Sequence, residues 1–124
     1  MRQIGKEVND RTGANGIHSP DYFIVGAPKC GTSSLASYLK QHPRVYLPES
    51  KDVPFFGSDL QYRPRRETLD EYQNRFAGAG GATRIGEACT AYLYSRRAAA
   101  EINAYSTDAD IIVMLRNPLE TMYS

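Results

Sequence analysis

Lys29, Thr32, Ser33 and Ser34 stand close together in the run Tyr22-Phe-Ile-Val-Gly-Ala-Pro-Lys-Cys-Gly-Thr-Ser-Ser-Leu35. One cation and three hydroxyls at that spacing suit an oxyanion such as a phosphate group. The flanking residues predict how they are held. Tyr22 to Val25 reads as an apolar strand, Gly26 and Gly31 bound a turn, and Thr32 opens a helix. The first N–H groups of a helix have no intrahelical acceptor, and the helix dipole adds partial positive charge there. Lys29 places a full charge inside the turn.

Gly26-x-x-x-x-Gly31 has the glycine spacing of a nucleotide P-loop, but Thr32 fills the position where that loop needs lysine. A P-loop kinase-like nucleotide enzyme, one alternative reading, would also need an acidic magnesium ligand after an apolar strand. The second informative segment offers Arg116 there instead. Asp110-Ile-Ile-Val-Met-Leu-Arg-Asn-Pro-Leu-Glu-Thr-Met-Tyr-Ser124 predicts a strand, continuously apolar over Ile111 to Leu115 and so expected to be covered on both faces. Pro118 suits the first turn of a following helix. Arg116 then emerges at the carboxyl end of a parallel strand, where open α/β sheets bind ligands. Ser124 falls about two helical turns further on.

Two more segments carry charge beside aromatic residues. Lys51-Asp-Val-Pro-Phe-Phe56 puts a cation and a carboxylate ahead of two rings. Arg84-Ile-Gly-Glu-Ala-Cys-Thr-Ala-Tyr-Leu93 reads as a short strand, Thr83 to Gly86, leading into a helix, and carries Glu87 and Tyr92 beyond that strand.

These four segments resemble the sulfotransferases. Pro28, Lys29, Gly31, Thr32, Ser33 and Leu35 fit the family's 5′-phosphosulfate loop, Pro-Lys-x-Gly-Thr-[Ser/Thr]-x-Leu. Arg116, Asn117, Pro118 and Ser124 fit its 3′-phosphate motif. Lys51 to Phe56 is similar to the Lys-Glu-x-x-Phe-Phe element of the carbohydrate branch, which includes heparan-type and many bacterial members. Aspartate replaces that element's glutamate, the proposed general base, and shortens its reach by roughly 1.5 Å. The fourth segment resembles Gly-Glu-[Lys/Ala]-[Ser/Thr/Cys]-[Pro/Thr]-x-Tyr-Leu of the same branch, with Ala88 where lysine is usual.

The resemblance implies transfer of a sulfuryl group from 3′-phosphoadenosine 5′-phosphosulfate to a hydroxyl or amine, on a glycan or glycolipid acceptor. Lys29 and Asp52 are the implied catalytic residues, Asp52 as base. Lys29, Cys30, Gly31, Thr32, Ser33, Ser34, Arg116 and Ser124 are the implied donor-binding set. The Cys30 thiol is read as a bystander within the loop. Glu87 and Tyr92 are expected on the substrate side. No metal is called for, because Lys29 takes the charge-neutralising role.

Residues 1–20 are expected to be a flexible lead-in and residues 21–124 the N-terminal part of a sulfotransferase domain. The chain stops within the Arg116 motif, and a fragment so placed is expected to be marginally stable and inactive. A donor-binding remnant without catalysis is the other alternative.

Bulk properties bound the partners. Fifteen Lys and Arg against fourteen Asp and Glu give a net charge of +1, with no polybasic face to recruit nucleic acid. No apolar stretch approaches the ~20 residues of a membrane helix, and no signal core opens the chain, so a cytoplasmic location is expected. Cys30 and Cys89 lack metal-ligand spacing. His42, before Pro43, is expected to cap helix carbonyls.

Strands alternate with helices throughout. Helix one is expected from Thr32 to Gln41, and a short strand from Val45 to Leu47. Thr68 caps a helix that runs to Phe76, with Leu69, Tyr72 and Phe76 inward. Another helix spans Ser95 to Tyr105, with Ala99, Ile102 and Tyr105 inward. This order predicts a three-layer, P-loop-like α/β fold with a parallel sheet flanked by helices.

Overall fold

The computed structural model describes residues 18–60, 66–117 and 119. Most of the lead-in, Pro118 and Ser124 lie outside the described residues. Four parallel strands form the sheet: β1 (Tyr22–Gly26), β2 (Val45–Tyr46), β3 (Arg84–Ala88) and β4 (Asp110–Val113), in the order β2-β3-β1-β4. Tyr22 faces Gly86 on one side and Asp110 on the other. Among the described residues, three α-helices flank the sheet: α1 (Thr32–Lys40), α2 (Leu69–Asn74) and α3 (Ala98–Tyr105). Short 3₁₀ turns occupy Ala77–Ala79 and Thr90–Tyr94.

Alternation along β1 builds the two cores. Tyr22 and Ile24 pack with Ala36 of α1, Leu47 and Ala88 on one face. Phe23 and Val25 pack on the other, with Phe56, Tyr72, Phe76, Ile85, Tyr92 and Ile102. The expected three layers are therefore present. Aromatic rings dominate the second core: Phe55 stacks on Tyr72 with centroids 4.2 Å apart, and Phe56 meets Tyr72 edge-on at 5.4 Å.

Thr68 caps α2 as expected. Its hydroxyl accepts from the Glu71 N–H, and the Glu71 carboxylate accepts from the Thr68 N–H, a reciprocal capping box. At the amino ends of the strands, Arg84 donates to Asp21 (3.0 Å) and Asp110 (2.7 Å), so one guanidinium ties together the starts of β3, β1 and β4.

Several expectations are corrected. Leu69 is exposed, because α2 is short and only its Tyr72 side turns to the sheet. The helix expected from Ser95 starts at Ala98, and Ala98 rather than Ala99 is its inner alanine. Ser95 stays outside it, its hydroxyl accepting from the N–H groups of Arg97 and Ala98. His42 accepts a hydrogen bond at Nδ1 from the Arg44 N–H, the reverse of carbonyl capping. β3 extends to Ala88 and leads into a 3₁₀ turn rather than an α-helix. β4 is not covered on both faces: it is an edge strand, with Ile111, Val113 and Leu115 exposed.

Candidate active site

All four strands are parallel, so the loops after them gather at one edge of the sheet. The loop after central β1 carries Lys29, the segment after β3 carries Thr90, and the segment after β4 carries Arg116. Asp52, after β2, joins them through its backbone N–H, which donates to the Ala88 carbonyl at the end of β3 (3.1 Å).

The Lys29 loop is held from both sides. The Ala27 N–H donates to the Met114 carbonyl, and the Met114 N–H to the Gly26 carbonyl, extending the β1–β4 pairing into the site. Arg116 Nη1 donates to the Lys29 carbonyl at 2.9 Å. The two strongest sequence signals, 87 residues apart, therefore meet in space. Gly31, at φ 88, bends the chain into α1. Among the described residues no side chain caps α1 and no acidic residue sits in its first turn, so its N–H groups face an anion-favouring field. Ser33 and Ser34 are exposed there, whereas Thr32 is 4% exposed and Cys30 is buried.

Lys29 and Asp52 share an uncommon backbone. They are the non-glycine residues with positive φ among the described residues, at 60° and 59°. Left-handed conformation costs an ordinary L-residue roughly 1–2 kcal/mol, and such strain clusters at functional sites. Nothing in the sequence pattern signals it.

Both Asp52 oxygens are engaged. Oδ1 accepts from the Thr90 N–H (2.9 Å) and hydroxyl (3.1 Å), and Oδ2 from Lys51 Nζ (2.7 Å). Partial burial would raise the Asp52 pKa, but the hydrogen bonds from Lys51 and Thr90 outweigh it and hold the carboxyl below its ordinary value. Thr90 was not singled out from the sequence, although it stands in the fourth motif.

Glu87 and Tyr92 are not open to the substrate side. Glu87 is 1% exposed. Its Oε1 accepts from the Tyr72 hydroxyl and its Oε2 from the Tyr92 hydroxyl, both at 2.6 Å, with Arg75 Nη1 3.5 Å from Oε2. Burial pushes the Glu87 pKa up to about 7, against the lowering effect of those two hydroxyls and of Arg75. The signal that places it was available: residues 85, 87 and 89 share one face of a strand, and Ile85 and Cys89 are core residues.

Comparison with known proteins decides the family. The crystal structure of a sulfotransferase from Alicyclobacillus acidocaldarius superposes with a TM-score of 0.80 and 37% sequence identity, covering 86% of this chain and 48% of that one. This chain belongs to the sulfotransferase family. Human heparan sulfate glucosamine 3-O-sulfotransferase 6 is 30% identical over 81% of the chain. The membrane-associated sulfotransferase kil1 of Dictyostelium discoideum is 27% identical over 85% of it. The chain spans 28% and 22% of those two sulfotransferases and about half of the bacterial one. No family model matches.

Proposed function

We propose that this site binds 3′-phosphoadenosine 5′-phosphosulfate and serves transfer of its sulfuryl group to an acceptor hydroxyl or amine. The observation that carries the reading is the Arg116–Lys29 contact. It sets a second cation beside an uncapped helix N-terminus that already holds Lys29. One phosphate needs only the first group of donors; a nucleotide with phosphates at both 5′ and 3′ positions uses both.

When bound, the donor supplies the sulfuryl group and a 5′-phosphate leaving group. Lys29 and the N–H groups from Gly31 to Ser34 stabilise charge on the departing phosphate oxygen. Arg116 holds the 3′-phosphate by charge-assisted hydrogen bonds. Asp52 takes the proton of the acceptor hydroxyl as its oxygen bonds to sulfur. Its depressed pKa keeps it ionised and ready, although it also makes the carboxylate a weaker base. The acceptor is proposed to be a glycan hydroxyl, as the names of the heparan sulfate relatives suggest.

Calorimetry tests the donor assignment. Arg116→Ala should weaken binding of 3′,5′-bisphosphorylated adenosine by ~1.5–3 kcal/mol and leave 5′-AMP nearly unaffected. Equal losses would remove Arg116 from the 3′-phosphate. Labelled sulfate transfer by the gene's full-length product, assayed with a panel of glycan acceptors, tests the reaction. Donor binding without turnover on any of them would favour a donor-binding remnant.

A further inference from the structure

The chain from Val53 to Phe56, directly after Asp52, is gripped by buried side chains rather than by a sheet partner. Arg75 Nη2 donates to the Val53 carbonyl at 2.8 Å. The Tyr92 hydroxyl accepts from the Phe55 N–H at 3.1 Å, with the Phe56 N–H at 3.5 Å. Neither grip aims itself. Tyr92 has one hydroxyl proton, and giving it to Glu87 Oε2 turns the oxygen lone pairs toward the loop. Arg75 lies between the Glu67 and Glu87 carboxylates and reaches the loop with the same guanidinium. Glu87 thus aims the Tyr92 grip directly, and its charge lies 3.5 Å from the Arg75 guanidinium that Glu67 holds by hydrogen bonds.

We propose that Glu87 is a positioning residue for the Asp52 loop, acting through Tyr92 and Arg75 to hold Asp52 where it meets the acceptor. This role rests on the sulfotransfer reading given above. It also explains a costly burial. A carboxylate without exposure is retained only where hydrogen bonds compensate it, and here both oxygens receive one. An apolar residue would pack in the same space and leave the Tyr92 proton without its acceptor.

The arrangement works only with Glu87 ionised. A proton on Oε2 would have to be donated to the Tyr92 oxygen, which already accepts from Phe55, and the Tyr92 proton would then lack an acceptor. A proton on Oε1 would strand the Tyr72 proton in the same way. The groups that face Glu87 are Tyr72 on α2, Arg75 at its end, Tyr92 on the 3₁₀ turn and Glu67 ahead of α2. Tyr72 and Tyr92 have their own pKa values driven upward by burial and by the Glu87 charge, so both remain proton donors. Only Glu87 is brought near neutrality, at about 7.

The test compares Glu87→Gln and Tyr92→Phe in the gene's full-length product. Both keep the packing volume. Each should lower the rate of sulfuryl transfer about tenfold to a hundredfold, the scale of a misplaced reacting group, while affinity for 3′,5′-bisphosphorylated adenosine changes less than twofold. The double variant should be no slower than the slower single one. Glu87→Gln should also remove an acidic limb near pH 7 from the rate profile. Amide exchange at Phe55 and Phe56 should accelerate in both variants whether or not any acceptor is sulfated, which separates failure of this role from failure of the sulfotransfer reading. Unchanged exchange at these amides, or parallel loss of donor affinity and rate, would overturn the role. If Glu87→Gln fails to fold, Tyr92→Phe alone decides it by the same readings.

Discussion

Lys29 and Asp52 hold left-handed backbone, a conformation for which glycine or asparagine would be cheaper. Backbone preference alone therefore does not select Lys29, and at position 52 it selects a short polar side chain without specifying its charge. Lys29→Ala should lower sulfuryl transfer by orders of magnitude, because a charged donor at a developing oxyanion is worth several kcal/mol; full activity would end the assignment. Asp52→Asn is a clean partner experiment, since asparagine tolerates the same backbone. It should abolish transfer and leave donor binding intact, and Asp52→Glu should keep or raise the rate. The two carboxylates also oppose each other in pH dependence. Asp52 is held below its ordinary pKa, so its contribution to stability is present above the usual carboxylate range and fades as pH falls through the depressed value. Glu87 is raised to about 7, so the native state binds its proton more tightly than the unfolded chain does. Its contribution is greatest at acid pH and is lost as pH rises from the carboxylate range through about 7. Melting Glu87→Gln across that window should show a flatter profile than the parent; parallel profiles would mean Glu87 does not titrate there.

At the scale of the element, the junction of β1 and β3 has no spare room. A Cβ at Gly86 would lie 2.0 Å from the buried Tyr22 ring. Gly86→Ala should lower the thermal midpoint markedly, and pairing it with Tyr22→Leu should recover part of the loss. If the single variant melts like the parent, the ring is free to move. The elements that were legible from the sequence owe this to contiguous chemistry: the Lys29 turn between an apolar strand and a hydroxyl-rich helix start, the Thr68–Glu71 cap, and Arg116 after an apolar run. What escaped depends on partners far apart in the chain. Burial of Glu87 follows from Tyr72, Arg75 and Tyr92 closing over it from separate elements. The alternation of Ile85, Glu87 and Cys89 pointed to the core face, but the motif drew attention to the opposite one. Leu69, Ile111 and Val113 are exposed because an apolar residue is buried only where another layer lies against it.

At the scale of the molecule, β4 is an edge of the sheet among the described residues. Ile111, Val113 and Leu115 are exposed along and beyond β4, beside an apolar cavity of about 210 Å³ that Val25, Leu93 and Ile102 help to line. Exposed edge strands with apolar side chains pair with other chains. Residues 1–124 expressed alone should therefore self-associate in a concentration-dependent way. Ile111→Lys should shift sedimentation toward the monomer, and an already monomeric parent would refute the expectation. At the opposite end of the strands, Arg84 with Asp21 and Asp110 does something for a site it never touches. Each residue of a strand advances ~3.3 Å, enough to break a hydrogen bond set at 2.9 Å. A slip of β4 against β1 by one step would carry the Arg116 guanidinium away from the Lys29 carbonyl and turn successive side chains to the wrong face. The pinned ends thus act as the zero mark of a ruler, and the seat of the Arg116 guanidinium on the Lys29 loop is measured out from there.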